Sequence, residues 1–203
     1  MDLANQEKWD RAARSFDFMA SHGAERRWRP AKLEFFDRME PDAEILFVGL
    51  GTGLDITCFP PGRTITAIDI SPKMLAKAES RVAGYPGKLS VRIMDVHDMD
   101  FPDNHFDQIF TSCTFCSVPQ PVAGLGALYR VLKHGGELHM FEHTGSKIFP
   151  FGLMMDLMNV LASRAGPELN RDTVANVAKA GFSITEVNNV FLDTVKMIHA
   201  TRD

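Results

Sequence analysis

Short runs of apolar residues alternate with helix-like segments through the middle of the chain, and this alternation constrains the fold more than any other feature. Five runs have the length and composition of buried strands: 45–48, 64–70, 89–94, 106–112 and 138–142. Helical patterns lie between several of them, such as 72–82, which Ser71 caps with Pro72 in its first turn, and 121–132. Continuous apolar runs are typical of parallel strands covered on both faces. The pattern therefore predicts an α/β chain with a mostly parallel sheet wrapped by helices.

Helical segments are expected before and after this core. Residues 4–20 and 24–40 predict two helices, and the second is expected to begin near Arg29 because Pro30 follows it. The segment 148–163 is apolar nearly all round, which predicts a helix buried as a lid. These segments are the ones expected to cover a ligand rather than to build the sheet.

The end of the chain predicts one more helix and a hairpin. Asn170 is expected to cap a helix that runs to Ala180, and the runs 183–190 and 194–200 predict an antiparallel hairpin on the sheet edge, giving seven strands. We therefore expect a single domain, 1–203. Its parts are a helical cap (1–40), a cofactor-binding core (41–146), a lid insertion (147–170) and a C-terminal helix and hairpin (171–203).

The composition of the 203 residues excludes several classes of protein. Apolar residues make up 45% and charged residues 24%, as in an average globular domain, which argues against a disordered chain or a fibre. The net charge of −4 gives no support to nucleic-acid binding, and three cysteines suit a reducing compartment. The first residues lack the apolar core of a signal peptide, and the longest uncharged apolar run, 148–155, is too short to span a membrane. We expect a cytoplasmic protein and leave peripheral contact with a membrane open.

A glycine-rich loop, GLGTG at 49–53, directly follows the first predicted strand. Glycines there allow a tight turn and a close approach of a ligand, and the helix expected next would offer its free N–H groups to an anionic group. A nicotinamide dinucleotide normally needs a small residue where Leu54 stands, which disfavours a dinucleotide oxidoreductase. The spacing of the glycines suits S-adenosylmethionine instead.

Acidic residues end the next two predicted strands. Asp69 is suited to accept the two hydroxyls of a ribose, and Asp95 with Val96 suits the edge and the exocyclic amine of an adenine. Strands of a parallel sheet end at one edge, where open α/β sheets bind ligands. The sequence therefore predicts a pocket for a nucleoside with a charged tail. The alternative is that both acids only cap helices or turns.

Four stretches, in this order, resemble the class I S-adenosylmethionine-dependent methyltransferases, in particular the quinone and phospholipid methyltransferase-like branch. They are ILFVGLGTG (45–53), TAIDISPKML (66–75), MDVHDMDFPDNHFD (94–107) and LYRVLKHGGELHMFEH (128–143). The segments WDRAARSFD (9–17) and ERRWR (25–29) are similar to that branch as well. The stretches FPPG (59–62), FCSV (115–118) and FEHT (141–144) also resemble methyltransferase-like thiol S-methyltransferases. The resemblance implies a Rossmann-like fold and S-adenosyl-L-methionine as cofactor.

The resemblance also implies roles for individual residues. The glycine loop would line the methionine part of the cofactor, Asp69 would bind the ribose, and Ser112 would lie near the donor methyl. The implied cofactor-binding residues are Gly49, Leu50, Gly51, Thr52, Gly53, Asp69, Ile70, Met74, Asp95, Val96 and Ser112. The chain departs from the family at Phe47, where an acid usually helps to arrange the methionine ammonium. Recognition of that ammonium is therefore expected from other groups, such as backbone carbonyls.

The acceptor side is less defined in the sequence. His143 is the candidate catalytic residue because it follows the fifth predicted strand on the cofactor side, and a packing histidine is the alternative. The residues expected to line the acceptor are Trp9, Phe16, Cys116, His143, Met154 and Met158. Cys113 and Cys116 form a C-x-x-C pair without a second pair or a histidine set, so no metal site is expected.

The sequence thus predicts a methyltransferase for a small or lipid-like acceptor, such as a phospholipid amine or a quinol. A basic cluster at 25–32 and the flexible methionines of 148–163 favour an amphiphilic acceptor and are compatible with contact at a membrane surface. Thiol S-methylation and a non-catalytic cofactor-binding module remain the alternatives. The oligomeric state and the identity of the attacking nucleophile are not readable from the sequence.

Overall fold

The seven strands described in the computed structural model form one sheet in the order β3-β2-β1-β4-β5-β7-β6. The structure describes residues 1–21, 24–146, 148 and 170–203. The strands are β1 (Glu44–Val48), β2 (Thr64–Asp69), β3 (Lys88–Ile93), β4 (Phe106–Ser112), β5 (Leu132–His143), β6 (Ser183–Phe191) and β7 (Val195–Thr201). β1 to β5 pair in parallel, while β7 pairs antiparallel with both β5 and β6. The predicted fold class, a Rossmann-like α/β sheet with a C-terminal antiparallel hairpin, is confirmed.

Both faces of the sheet are covered by helices. The described helices are α1 (Leu3–Ala12), α2 (Phe16–Ser21), α3 (Ala24–Asp37), α4 (Pro72–Ala83), α5 (Pro121–Val131) and α6 (Thr173–Lys179). One core cluster joins the sheet to α3 and α4, through Phe35 and Ala78 among others. A second cluster joins the opposite face to α5 and α6, through Leu128 and Val177. Burial on both faces explains why the parallel strands are continuous apolar runs.

The N-terminal helices differ from the sequence-based expectation in two ways. The segment 4–20 is not one helix, because α1 ends at Ala12 and the chain turns before α2 begins at Phe16. The turn is anchored by Ala13, which is buried. Helix α3 begins at Ala24 rather than near Arg29 and keeps Pro30 inside it, on an exposed position. Beyond the proline, the completely buried rings of Phe35 and Phe36 hold the helix on the sheet.

Two other local predictions were wrong. A short 3-10 helix (Leu54–Cys58), not a full helix, follows the glycine loop, and Pro60 and Pro61 come shortly after it and prevent its extension. At the other end, Asp172 rather than Asn170 caps α6, because its carboxylate accepts a hydrogen bond of 3.0 Å from the backbone N–H of Ala175. Both changes leave the order of the elements as predicted.

The predicted lid insertion, 147–170, falls almost entirely outside the described residues. So do Met154 and Met158, the two methionines that were predicted to line the acceptor.

In the part of the chain that the structure does describe, no helix combines the length and the apolar character that crossing a bilayer requires. Among the same residues, no group of three or more His, Cys, Asp or Glu side chains is arranged to hold a metal ion.

Candidate functional site

A cavity of about 240 Å³ lies at the carboxyl edge of the parallel strands. It lies between the ends of β1, β2 and β4 on one side and the N-terminal helices α1 to α3 on the other. Ten of the eleven predicted cofactor-binding residues line it: Gly49, Leu50, Gly51, Thr52, Asp69, Ile70, Met74, Asp95, Val96 and Ser112. Of the predicted acceptor residues, Trp9, Phe16 and His143 line the same cavity. One continuous cavity therefore brings together residues of both predicted sites.

The exceptions are Gly53 and Cys116, which are not among the lining residues. A Cβ on Gly53 would come within 2.9 Å of the Ile56 side chain and 3.2 Å of that of Ala78, so this glycine permits packing against α4 rather than ligand approach. The Cys116 thiol is buried and donates a hydrogen bond of 3.4 Å to the carbonyl of Cys113. Cys113, not Cys116, lines the cavity.

The glycine loop is shaped by its backbone conformation. The backbone N–H groups of Gly49 and Leu50 both donate to the carbonyl of Ile68 near the end of β2, at 2.8 and 3.1 Å. Gly49 and Gly51 have positive φ angles of 80° and 58°. A Cβ on Gly51 would meet no atom of the described residues within 4 Å, its chain neighbours apart, so there is open space at this position of the loop. The loop therefore leaves room for a ligand to approach its backbone.

Asp69 ties this loop to the start of α4. One carboxylate oxygen accepts the N–H of Gly51 at 2.7 Å, and the other accepts the N–H of Ser71, the N-cap of α4, at 2.8 Å. Burial raises the pKa of Asp69, and the backbone hydrogen bonds oppose that rise. Each carboxylate oxygen has more than one lone pair with which to accept. The side chain can therefore hold the loop and accept two more donors, as ribose hydroxyls require.

Asp95 lies at the other end of the cavity and is also held by backbone donors. One of its oxygens accepts the N–H of His97 at 3.0 Å and lies 2.9 Å from the ring Nδ1 of the same residue, and the other accepts the N–H of Asp2 at 2.8 Å. Burial would raise the pKa of Asp95, but these hydrogen bonds outweigh it and leave the pKa below its usual value. The start of α1 thus closes over the adenine end of the predicted pocket.

The N-terminal helices are docked by acids that the sequence analysis did not single out. Asp10 accepts hydrogen bonds from the Ser71 hydroxyl, at 2.5 Å, and from the N–H of Lys73, at 3.2 Å. Asp17 accepts from the Thr52 hydroxyl at 2.5 Å and from Arg81 at 3.1 Å. Acids in the first helices of a chain look like solvated surface in a sequence, so no local pattern marks them as contacts to the pocket.

The wall opposite the glycine loop carries aromatic rings and one cation. Trp9, Phe16 and Trp28 supply the rings, and the rings of Trp9 and Phe16 meet edge to face with centroids 6.4 Å apart. Lys32 is the only lysine or arginine among the described residues that line the cavity. Burial and the nearby Lys32 ammonium both lower the pKa of His143, so its imidazole is neutral at pH 7 and able to accept a proton.

Glu142, near the end of β5, is a buried acid whose importance is not visible in the sequence. One of its oxygens accepts the Thr111 hydroxyl at 2.7 Å and the N–H of Thr114 at 3.1 Å, and the backbone N–H groups of Phe115 and Cys116 nearby also favour its charged form. Its other oxygen has no partner among the described residues. Burial raises the pKa of Glu142 to about 7. The carboxylate thereby positions the loop after β4 that supplies Cys113 and Thr114 to the cavity.

This raised pKa predicts an unusual dependence of stability on pH. The ordinary carboxyl value is 4.5, so between pH 4.5 and about 7 the folded chain retains a proton that the unfolded chain has lost. The free energy of unfolding should therefore fall as pH rises through this window and level off above it. Relative to Glu142→Gln, the wild type should lose about 2–3 kcal/mol between pH 5 and 8 in urea denaturation. Parallel curves for the two proteins would contradict this, and Glu34→Gln, at an exposed site, is the control.

Comparison with known proteins shows which protein family the chain resembles. Residues 46–140 match the family model described as a methyltransferase domain. The chain is 32% identical over 155 residues to the ubiquinone/menaquinone biosynthesis C-methyltransferase UbiE of Geotalea daltonii, covering 72% of this chain and 66% of that protein. It is 35% identical over 101 residues to a phosphatidylethanolamine N-methyltransferase of Cereibacter sphaeroides, covering 49% and 50%. The matched regions thus span half to just under two thirds of those relatives.

Solved structures share the fold at low sequence identity. A structure described as an S-adenosylmethionine-dependent methyltransferase, possible histamine N-methyltransferase, from Thermotoga maritima superposes with a TM-score of 0.72 at 15% identity, covering 98% of this chain and all of that one. A putative methyltransferase in complex with the Trm112 methyltransferase activator of Haloferax volcanii superposes with a TM-score of 0.71 at 17% identity, covering 96% and 97%. At such identities the likeness concerns the fold alone.

Proposed function

We propose that this chain is a class I S-adenosylmethionine-dependent methyltransferase and that it transfers a methyl group from S-adenosylmethionine to a small or lipid-like acceptor, such as a phospholipid amine or a quinol. The observation that carries the proposal is the single cavity that joins the glycine loop and two strand-end acids to an aromatic wall. The relatives named for quinone C-methylation and phosphatidylethanolamine N-methylation support the acceptor class.

The residues of the cavity fit the cofactor. Gly49, Gly51 and their loop neighbours would hold its methionine part, Asp69 its ribose, and Asp95 with Val96 its adenine. Two observations support the fit: the open space at Gly51, and the buried hydroxyl of Ser112, which lines the cavity and has no partner among the described residues. A bound sulfonium cofactor supplies the methyl group and a leaving group that needs no acid.

The residues of the chain would align the two reactants, exclude water from them and supply a general base. Holding two reactants in line lowers the activation barrier by up to roughly 7–11 kcal/mol. The rings of Trp9, Phe16 and Trp28 would exclude water from the reacting atoms. His143 would take the proton that an ammonium, a thiol or a quinol carbon loses on methylation. Its lowered pKa supports this role, because the neutral imidazole is the form that accepts a proton.

A labelled-methyl screen tests the proposal. Purified protein with labelled S-adenosylmethionine is offered phosphatidylethanolamine vesicles, a demethylated quinol and a small aliphatic thiol, each with wild type and with His143→Ala. Label is expected in the lipid or the quinol, at a rate that the substitution lowers about tenfold or more without changing cofactor affinity. Label only in the thiol would replace the acceptor class by the thiol S-methyltransferase alternative. Tight cofactor binding with label in none of the three would favour a non-catalytic module and overturn the proposal.

A further inference from the structure

The methionine end of S-adenosylmethionine carries an ammonium and a carboxylate, and a pocket that buries this zwitterion needs a partner for each charge. Phe47 cannot supply one. Its side chain is completely buried, and its ring packs against those of Phe36 and Phe59, with centroids 6.0 and 5.1 Å away. It does not line the cavity. The charges that recognise the methionine end must therefore come from other residues.

Lys32 and Asp55 form an ion pair beside the glycine loop. Lys32 projects from α3, and Asp55 lies in the 3-10 helix that begins directly after the loop. Both line the cavity together with Gly49 and Gly51. Their side chains are only 13% and 15% exposed, and the ammonium of Lys32 is hydrogen-bonded to the carboxylate of Asp55. The pair thus places one positive and one negative charge in a part of the cavity with little solvent exposure.

The other carboxylates that line the cavity are already engaged elsewhere. Asp69 and Asp95 each accept backbone N–H groups with both oxygens and belong to the ribose and adenine ends. Lys32 and Asp55 come from different elements, α3 and the 3-10 helix, and meet only through the tertiary fold. An ion pair this little exposed is expensive to desolvate and is weak evidence for stability. Its position in the cavity, beside the glycine loop, points instead to a role in binding.

We propose that Lys32 binds the α-carboxylate of S-adenosylmethionine and that Asp55 binds its α-ammonium. This inference rests on the proposed function and deepens it. A zwitterion that enters between the two side chains, or beside them, gives each charge a partner of opposite sign, so no buried charge is left uncompensated. Asp55 thereby takes over the recognition of the ammonium that Phe47 is unable to provide.

The electrostatics of the cavity are compatible with this role. Burial by itself lowers the pKa of Lys32, but the charge of the neighbouring Asp55 carboxylate and its hydrogen bond to Lys32 raise the pKa above its ordinary value. The side chain is therefore an ammonium throughout the neutral range. The ring of Phe141, whose centroid lies 5.7 Å from the Lys32 nitrogen, also stabilises that cation.

Calorimetry with two ligands separates the methionine end from the nucleoside. S-adenosylhomocysteine carries the amino-acid zwitterion, whereas 5′-methylthioadenosine has the same adenosine and a thioether but lacks it. The variants are Asp55→Asn and Lys32→Met, which keep side-chain size and remove one charge each. We expect each to weaken S-adenosylhomocysteine binding about 10- to 100-fold, since charged hydrogen bonds contribute about 1.5–3 kcal/mol. Binding of 5′-methylthioadenosine should change by less than about twofold.

The control is Lys133→Met, which removes another Lys–Asp ion pair, more exposed and 2.7 Å long, to Asp107 at the start of β4 and outside the cavity. It should leave both affinities unchanged, and a thermal melt of every variant checks that the fold is intact. Equal losses for both ligands would overturn the inference, because the pair would then only shape the pocket. Unchanged affinities with a raised KM for the acceptor would overturn it as well and assign the pair to the acceptor. Wild type that binds neither ligand would instead overturn the proposed function.

Discussion

Replacement of Asp69 by alanine is expected to lower the affinity for S-adenosylmethionine about 100-fold or more. The carboxylate accepts the N–H groups of Gly51 and Ser71 and would also accept the two ribose hydroxyls. Hydrogen bonds to a charged group contribute about 1.5–3 kcal/mol each, so losing two corresponds to about 3 kcal/mol or more. The loop and the start of α4 lose their shared anchor at the same time. Isothermal calorimetry with S-adenosylmethionine measures the change directly.

The control for Asp69→Ala must separate ligand contact from general damage. Asp100→Ala removes an exposed carboxylate that pairs with Arg92 at 2.7 Å, outside the cavity, and should leave the affinity unchanged. Asp69→Asn keeps the shape of the side chain but turns one acceptor into a donor that faces a backbone N–H, so it should lose nearly as much affinity as alanine. If Asp69→Ala melts cooperatively and binds as tightly as wild type, the assignment of this end of the cavity to the ribose is wrong.

Replacement of Gly49 by alanine is expected to destabilise the protein by about 2–4 kcal/mol and to abolish cofactor binding. The φ angle of this residue is 80°, a conformation that costs alanine about 1 kcal/mol. The added Cβ would also come within 2.3 Å of the Thr114 hydroxyl and 2.6 Å of its methyl group. Thr114 has little freedom to move, because its hydroxyl hydrogen-bonds the carbonyls of Val48 and Ser112.

Gly51→Ala is the matched control for Gly49→Ala. Its φ angle of 58° is also positive, but among the described residues no atom beyond its two chain neighbours lies within 4 Å of the position of a new Cβ. Urea denaturation should therefore show a loss of only about 1 kcal/mol, from backbone strain alone. Adding Thr114→Ala to Gly49→Ala should recover about 1 kcal/mol or more of the steric part, measured as a double-mutant cycle. Equal destabilisation by the two glycine substitutions, without coupling to Thr114, would show that the clash is absent.

Much of the fold is predictable because its signals are local. A buried parallel strand must be apolar on both faces, so β1 and β4 are visible as continuous runs, and their ends are visible where glycine or polar residues follow. Parallel strands bring their carboxyl ends to one edge, which is why the order of residues alone predicts Asp69 and Asp95 in one pocket. The family resemblance adds S-adenosylmethionine as the ligand.

Other features have no local signal. The turn between α1 and α2 depends on a buried Ala13 and on Asp17 reaching across to Thr52, 35 positions away. The choice between Cys113 and Cys116 as the residue that lines the cavity depends on the path of one loop, held from below by Glu142. Neither the length of a hydrophobic run nor a spacing of residues encodes such contacts.

The sequence by itself determined the order of the elements, the family resemblance and the ends of the strands that carry the predicted nucleoside pocket. The elements and the strand ends follow from local apolar runs and helical periodicity, which need no tertiary partner to be recognised, and the resemblance follows from the matching motifs. Only the tertiary structure decided that Lys32 and Asp55 meet inside the cavity, that the pKa of His143 is lowered, and that Glu142 has a pKa of about 7. Those properties come from burial and from charges on different elements, which exist only when the chain is folded.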